Sequence, residues 1–271
     1  MSLRIKDAPI GVFDSGVGGL TVVKSLRNRL PNERVIYLGD TARLPYGTRS
    51  PATVERYAVQ NANFLEAMNI KLLVIACNTA SAIAHGRLRE LQPSLPTLGV
   101  IQPGAKQAVR TSRSGRIGVI GTEATVSSGA YAKAISGFNP AAEVISQACP
   151  LFVSLAEEGW TEHEAATRLI AERYLEPFQG GRVDTLVLGC THYPILREVI
   201  SEVVGPDVAL IDSGDALAEE VAILLAESGQ LRSPDVPGED QFFVTDAAQR
   251  FRRVAELFLG SPLERFDTVE L

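Results

Sequence analysis

The sequence predicts an α/β fold of two similar, facing domains, with mostly parallel central sheets and an active site in the cleft between them. Three observations predict it. Short apolar runs alternate with helix-period segments along most of the chain, the pattern of strand–helix–strand units. Two of those runs share one grammar: residues 72–76 lead into Cys77, Asn78 and Thr79, and residues 185–189 lead into Cys190, Thr191 and His192. Finally, Ile10-Gly11-Val12 returns as Ile117-Gly118-Val119, 107 positions on (117 − 10), close to the 113 (190 − 77) that separate the two cysteines. On this reading residues 1–101 and 209–271 form the first domain, which carries Cys77, and residues 102–208 form the second, which carries Cys190.

Residues 10–14 (IGVFD) form a strand ending in an acid, followed by Ser15-Gly16-Val17-Gly18-Gly19. Glycine in such a turn permits close backbone approach to a ligand, but the spacing is not the GxGxxG dinucleotide fingerprint. Leu20, Val23, Leu26 and Leu30 make a helical stripe stopped by Pro31, and 34–38 (RVIYL) is the second strand. Loop 39–49 holds too much Gly, Pro and polar content for regular structure; it offers Tyr46 and Gly47 at a strand's carboxyl end, where pockets form. Ser50 and Pro51 read as N-cap and first residue of a long helix reaching about Met68. After the Cys77 strand and its helix come a short strand at 97–101 and a polar boundary region from Gln102-Pro103-Gly104 through TSRSGR.

The second unit opens on a strand at 116–120, with Gly121-Thr122-Glu123-Ala124-Thr125 in the place of Asp14-Ser15-Gly16 and a helix starting near Ser127. Further strands fall at 142–148 and 208–212, and an amphipathic helix at 161–176. Ser213 caps a helix to about Glu227, and a polar loop with two prolines covers 229–239. A strand at 241–245 and a helix capped by Asp246 follow, then a short extended tail.

Composition narrows the function. Apolar residues make up 45% and charged residues 21% of 271, enough for a real core. A net charge of −6 lacks the basic footprint of a nucleic-acid binder. No run approaches the ~18 apolar residues of a membrane span, and the first residues lack the apolar core of a signal peptide. Three widely spaced cysteines are not a disulfide framework. A cytoplasmic protein acting on a small molecule is expected.

The cysteines carry the chemistry. A thiol between a strand's carboxyl end and a helix's amino end lies where ligands bind, and the helix terminus favours its anion, lowering the pKa from ~8.5. One buried cysteine is more often an inert hydrophobe. Two of them, each followed by small polar residues that a purely apolar site would have to satisfy at a cost, argue for function. Cys149 is different: Pro150, Leu151, Phe152 and Val153 follow it, so its role is structural. His85, inside a helix, and His163, in a first turn, read as structural and exposed. A single attacking nucleophile would leave one thiol idle, and redox pairs usually sit close together, as in CxxC. A zinc site from Cys77, Cys190 and His192 lacks the short ligand spacing of common sites and needs a further ligand. Moving a proton between the two faces of one carbon employs both thiols. The C–H must be acidified by a carboxylate held among donors, which Ser15, Asn78-Thr79 and Thr191 supply. With no motif for pyridoxal, nucleotide or metal, a racemase without cofactor follows.

Four motifs carry a resemblance: GVFDSGVGGLTV at 11–22, LPYGTRS at 44–50, ACNTASA at 76–82 and GCTHYP at 189–194. In this order they resemble the aspartate/glutamate racemase superfamily, and within it the glutamate racemases, over about residues 8–228. The resemblance implies that Cys77 and Cys190 are the acid/base thiols, Cys77 acting on D-glutamate and Cys190 on L-glutamate. It implies that Asp14, Ser15, Tyr46, Gly47, Asn78, Thr79, Thr191 and His192 hold the substrate. Asp14, His192 and Glu157 would assist the thiols; Glu157 lies in CPLFVSLAEEG, where Ser154 replaces the family's usual proline. D-glutamate for peptidoglycan, a bacterial cytoplasm, and a homodimer are also implied. The alternatives are a racemase for aspartate or another amino acid, or a non-catalytic amino-acid-binding regulator.

Overall fold

The apolar runs become strands wherever they can bury both faces. In the computed structural model, which describes residues 5–234, 239–246, 248–263 and 265–271, β1 (Ile10–Asp14), β2 (Val35–Gly39) and β3 (Leu72–Ile75) are buried at every position. With β4 (Thr97–Gly99) they pair in parallel in the order β2-β1-β3-β4. Helices α1 (Leu20–Arg29), α2 (Pro51–Glu66) and α3 (Asn78–Leu91) make the crossovers, as parallel pairing requires. The expected cap of α2 is present: Ser50 Oγ accepts from Thr53 N, and Pro51 takes the first helical position.

The second unit repeats the design. β5 (Arg116–Gly121), β6 (Glu143–Ala148), β7 (Thr185–Gly189) and β8 (Ala209–Asp212) form a parallel sheet in the order β6-β5-β7-β8. Strand for strand this is the first order again, with β5 in the place of β1 and β7 in the place of β3. Helices α5 (Glu123–Ser127), α6 (Ala130–Phe138), α7 (Leu151–Glu158), α8 (Ala165–Leu175) and α9 (Arg197–Val204) connect these strands. Beyond them α10 (Ser213–Glu227) packs on α1, β9 (Gln241–Val244) joins the first sheet beside β2, and β10 (Asp267–Thr268) pairs with β9. Between those last strands runs α11 (Ala248–Leu259).

Several expectations need correction. Residues 209–212, expected with the first domain, belong to the second sheet: β8 pairs in parallel with β7, as β4 does with β3. The boundary region at 102–104 is helical, within α4 (Ile101–Thr111). Pro103 is tolerated there because first-turn N–H groups have no intrahelical partner. Asp212, not Ser213, caps α10, its Oδ1 accepting from Gly214 N and Asp215 N. The helix expected from Thr161 starts at Ala165, and the one near Ser127 breaks in two at Gly129, whose φ is +65°. Positions 235–238 of the polar loop and 247 beside Asp246 lie outside the described residues.

One apolar cluster runs through both sheets, from Val12 and Leu20 through Leu217 and Phe258 to Leu188 and Phe178. Shared burial of this kind holds the halves together by the removal of apolar surface from water. It also brings the carboxyl ends of β1, β3, β5 and β7 to one cleft.

Candidate active site

Cys77 follows β3 directly and serves as the N-cap of α3, its Sγ accepting from Ala80 N at 3.4 Å. The thiol reaches Ser15 Oγ at 3.6 Å. A helix terminus alone would favour the thiolate, as the sequence suggested, but burial wins here. It pushes Cys77 up to about 12, the Asp14 charge adding to it, against the Ala80 N–H and Ser15. Asp14 ends β1 beneath the cleft floor with no exposed surface. Burial raises its carboxyl, while the positive charge of His192 and the N–H groups of the 15–19 turn oppose that. Its Oδ2 accepts from Gly16 N at 2.9 Å, and its Oδ1 accepts from Thr191 Oγ1 at 3.4 Å.

The second thiol also follows a strand, β7, but a 3-10 helix (Tyr193–Leu196) stands between it and α9, and Cys190 caps no α-helix as Cys77 does. Cys190 Sγ lies 3.8 Å from His192 Nδ1, and His192 Nε2 lies 3.1 Å from Glu157 Oε1. Burial pulls the imidazole down, but hydrogen bonds to Cys190 and Glu157 and their negative charge outweigh it and push His192 up to about 10. Glu157 sits below the usual range: burial raises it, and His192 and Arg250 lower it further. An imidazolium at His192 therefore places a positive charge beside the Cys190 sulfur.

Contacts between the halves set the spacing of these walls. Tyr131 of α6 donates to Asn78 Oδ1 at 2.7 Å, and Asn78 Nδ2 reaches Ser213 Oγ at 3.5 Å. Thr79 Oγ1 meets Thr122 Oγ1 at 2.9 Å and Thr125 Oγ1 at 3.2 Å. Gly18 must lack a side chain, since a Cβ there would collide with Thr191 Oγ1 and His192 Nδ1. The Tyr46 hydroxyl is already engaged: it donates to Asp40, which also binds Arg43 Nε at 2.8 Å and Thr245 Oγ1 at 3.0 Å. What Tyr46 offers the cleft is ring and backbone.

The walls enclose a cavity of about 250 Å³ lined by Ser15, Tyr46, Gly47, Cys77, Asn78, Thr79, Glu157, Cys190, Thr191 and His192. That is just under the roughly 300–1,000 Å³ of drug-sized sites and suits a small metabolite. Of the residues expected at the site, Asp14 alone stands behind the lining. Cys149, His85 and His163 lie outside it: Cys149 is buried with its thiol raised by burial, and the His163 side chain is exposed. A larger depression of about 860 Å³ between α3, α4 and α10 contains neither thiol of the cleft. Among the described residues, no group of three or more His, Cys, Asp or Glu side chains is arranged to hold a metal ion, and no helix is long and apolar enough to cross a membrane. Sequence reasoning missed Thr122 and Thr125, Tyr131 behind Asn78, and Arg250 on Glu157.

A parallel α/β protein whose strand ends bring two thiols to the lining of one small cleft carries acid/base groups for work on a small molecule. The Asp/Glu/hydantoin racemase family matches residues 11–221, and the chain belongs to that family. It is 54% identical over 254 residues to the glutamate racemase of Geobacter metallireducens, covering 94% of this chain and 93% of that one. Among solved structures it resembles glutamate racemase from Francisella tularensis in complex with D-glutamate, with a TM-score of 0.91 and 43% identity over 98% of both chains. A Bacillus anthracis glutamate racemase isoform gives a TM-score of 0.93 at 39% identity, again over 98% of both.

Proposed function

We propose that this protein interconverts L- and D-glutamate without a cofactor, by two-base proton transfer between Cys77 and Cys190. The observation that carries the reading is the repeat itself: equivalent strands β3 and β7 each lead to a thiol that lines one and the same cavity. Relatives named glutamate racemase, at about half identity over nearly the whole chain, support glutamate as the substrate.

From L-glutamate, Cys190 as thiolate takes the α-hydrogen as a proton, and the electron pair stays on the substrate as a carbanion. The Cys77 thiol then delivers its own proton to the opposite face, which leaves D-glutamate, a Cys77 thiolate and a Cys190 thiol. The reverse reaction exchanges the roles. A Cys77 held protonated by burial and a Cys190 paired with an imidazolium fit the L-to-D direction. Ser15, Asn78, Thr79 and Thr191 supply donors for the substrate carboxylates, where negative charge develops. Asp14 assists on the Cys77 side, and His192 and Glu157 on the Cys190 side.

The same reading makes D-glutamate a precursor of peptidoglycan, the site of action the bacterial cytoplasm, and the working form a homodimer. The test is a circular-dichroism assay on the purified protein with L-glutamate and, separately, L-aspartate. Loss of optical activity from glutamate is expected. Loss from aspartate alone moves the substrate, and loss from neither leaves a binding protein.

A further inference from the structure

Arg250 stands in the first turn of α11, a helix that belongs by packing to the six-stranded half. Phe251 of the same turn stacks on Tyr37 of β2, with centroids 6.4 Å apart and planes at 24°, and the helix lies along α1. Phe251, Val254, Ala255 and Phe258 form its buried stripe. The neighbouring face, with Arg250 and Leu257, meets α7 of the other half. There Arg250 Nη2 donates to Glu157 Oε2 at 2.6 Å, and Leu257 Cδ2 packs 3.6 Å from the position of a methyl group built on Gly159.

Both oxygens of Glu157 are thus occupied, by cations from opposite directions. Oε1 faces His192, and Oε2 is held by Arg250. The Arg250 side chain is 58% exposed, so the pair adds little to stability. Its effect is on orientation. The terminal torsion of a glutamate is broad, and a carboxylate at a buried site tends to its neutral form unless a cation opposes that. Without Arg250, Glu157 loses the contact that fixes its plane and favours its charge. The His192 ring then faces a carboxylate held by His192 alone, its other contacts being Cys190, Thr191 and the edge of Phe258, 5.2 Å away at 79°.

We propose that Arg250 is a positioning residue for the Cys190 wall: it fixes Glu157 from the C-terminal helix and, through Glu157, the orientation of His192 toward Cys190. The chemical consequence rests on the racemase reading above; the arrangement of His192 does not. Among the described residues, the charged and titratable groups facing His192 are Cys190 on its own loop, Glu157 on α7 and Asp14 at the end of β1.

With three histidines in the chain, imidazole resonances can be assigned by comparison with His192→Gln and titrated in the full-length wild type, Arg250→Gln and Arg250→Lys. In Arg250→Gln the His192 resonance should titrate at lower pH than in the wild type, with His85 and His163 unmoved. Turnover of glutamate should fall about tenfold with little change in KM, as expected when an acid/base group loses its support. Arg250→Lys, which keeps the charge, should recover most of both effects. A His192 titration unchanged in Arg250→Gln overturns the proposal, and so does a Lys variant as impaired as the Gln variant. A wild type that does not racemise glutamate refutes the functional reading instead, and the His192 titration still decides the role of Arg250.

Discussion

Thr21 Oγ1, in the first turn of α1, lies 2.9 Å from the backbone oxygen of Thr191, the residue that follows Cys190. A hydroxyl from the first sheet's helix thereby holds the loop that carries the second sheet's thiol. The same hydroxyl lies 2.9 Å from Gly18 O, so the turn after β1 and the loop after β7 share its one proton.

Thr21→Val keeps the shape and removes the donor. Leaving a buried carbonyl without its partner costs roughly 1–3 kcal/mol, so the variant should unfold at lower denaturant and turn over more slowly. Thr21→Ser, which keeps the hydroxyl, should stay close to the wild type. A Val variant of wild-type stability and rate would show that the halves are not coupled at this point.

Cys149 has no exposed surface, lies outside the cavity lining, and its carbonyl accepts from Tyr193 Oη at 2.9 Å. Cys149→Ala should lose about 1 kcal/mol of stability, as for a small core truncation, and keep most of its turnover. Denaturant unfolding and the circular-dichroism assay check the two halves of that statement. A folded but inactive variant would break the division of the three cysteines.

His192 is pushed up to about 10 from an ordinary 6.5. A raised folded-state value stabilises the fold fully below the unfolded value, and that contribution is lost as pH rises through the folded one. The stability advantage of wild type over His192→Gln should therefore shrink steadily from pH 6.5 to about 10. Glu157 is depressed, so its contribution is present above its ordinary 4.5 and lost as pH falls through its folded value. Unfolding free energies of both proteins across that range give the answer. An advantage that is flat, or that grows with pH, would contradict the His192–Glu157–Cys190 arrangement.

Much of this was legible in the chain because its signals are local. Strand, small polar residues and helix after Cys77 and Cys190 can be read within a dozen positions, and the repeat offset links them. Tyr46, Asn78 and Thr191 follow from their place at strand ends. What escaped is set by tertiary packing. Arg250 is 93 positions from Glu157 and looks like any surface arginine of an amphipathic helix. The pKa of Cys77 went the other way because the sequence shows the helix terminus and not the depth of burial, the larger effect. The sheet that 209–212 joins is not legible in the chain, because a short apolar strand carries no mark of its partner; the repeated strand order supplies it.

If two thiols act on opposite faces of one carbon, hydrogen isotope incorporation in deuterated water shows it most directly. The thiol that completes inversion delivers a solvent-derived proton, whereas the α-hydrogen is removed by the other. D-glutamate formed from L-glutamate in deuterated water should carry deuterium at the α-carbon from the first turnovers, while the remaining L-glutamate gains little. A serine hydroxyl holds its proton far more tightly than a thiol, so inversion should collapse in both Cys77→Ser and Cys190→Ser. Slow exchange without inversion should persist for the L form in Cys77→Ser and for the D form in Cys190→Ser. Product that retains the original hydrogen in the wild type, or racemisation that continues unchanged in either serine variant, would contradict the two-base account.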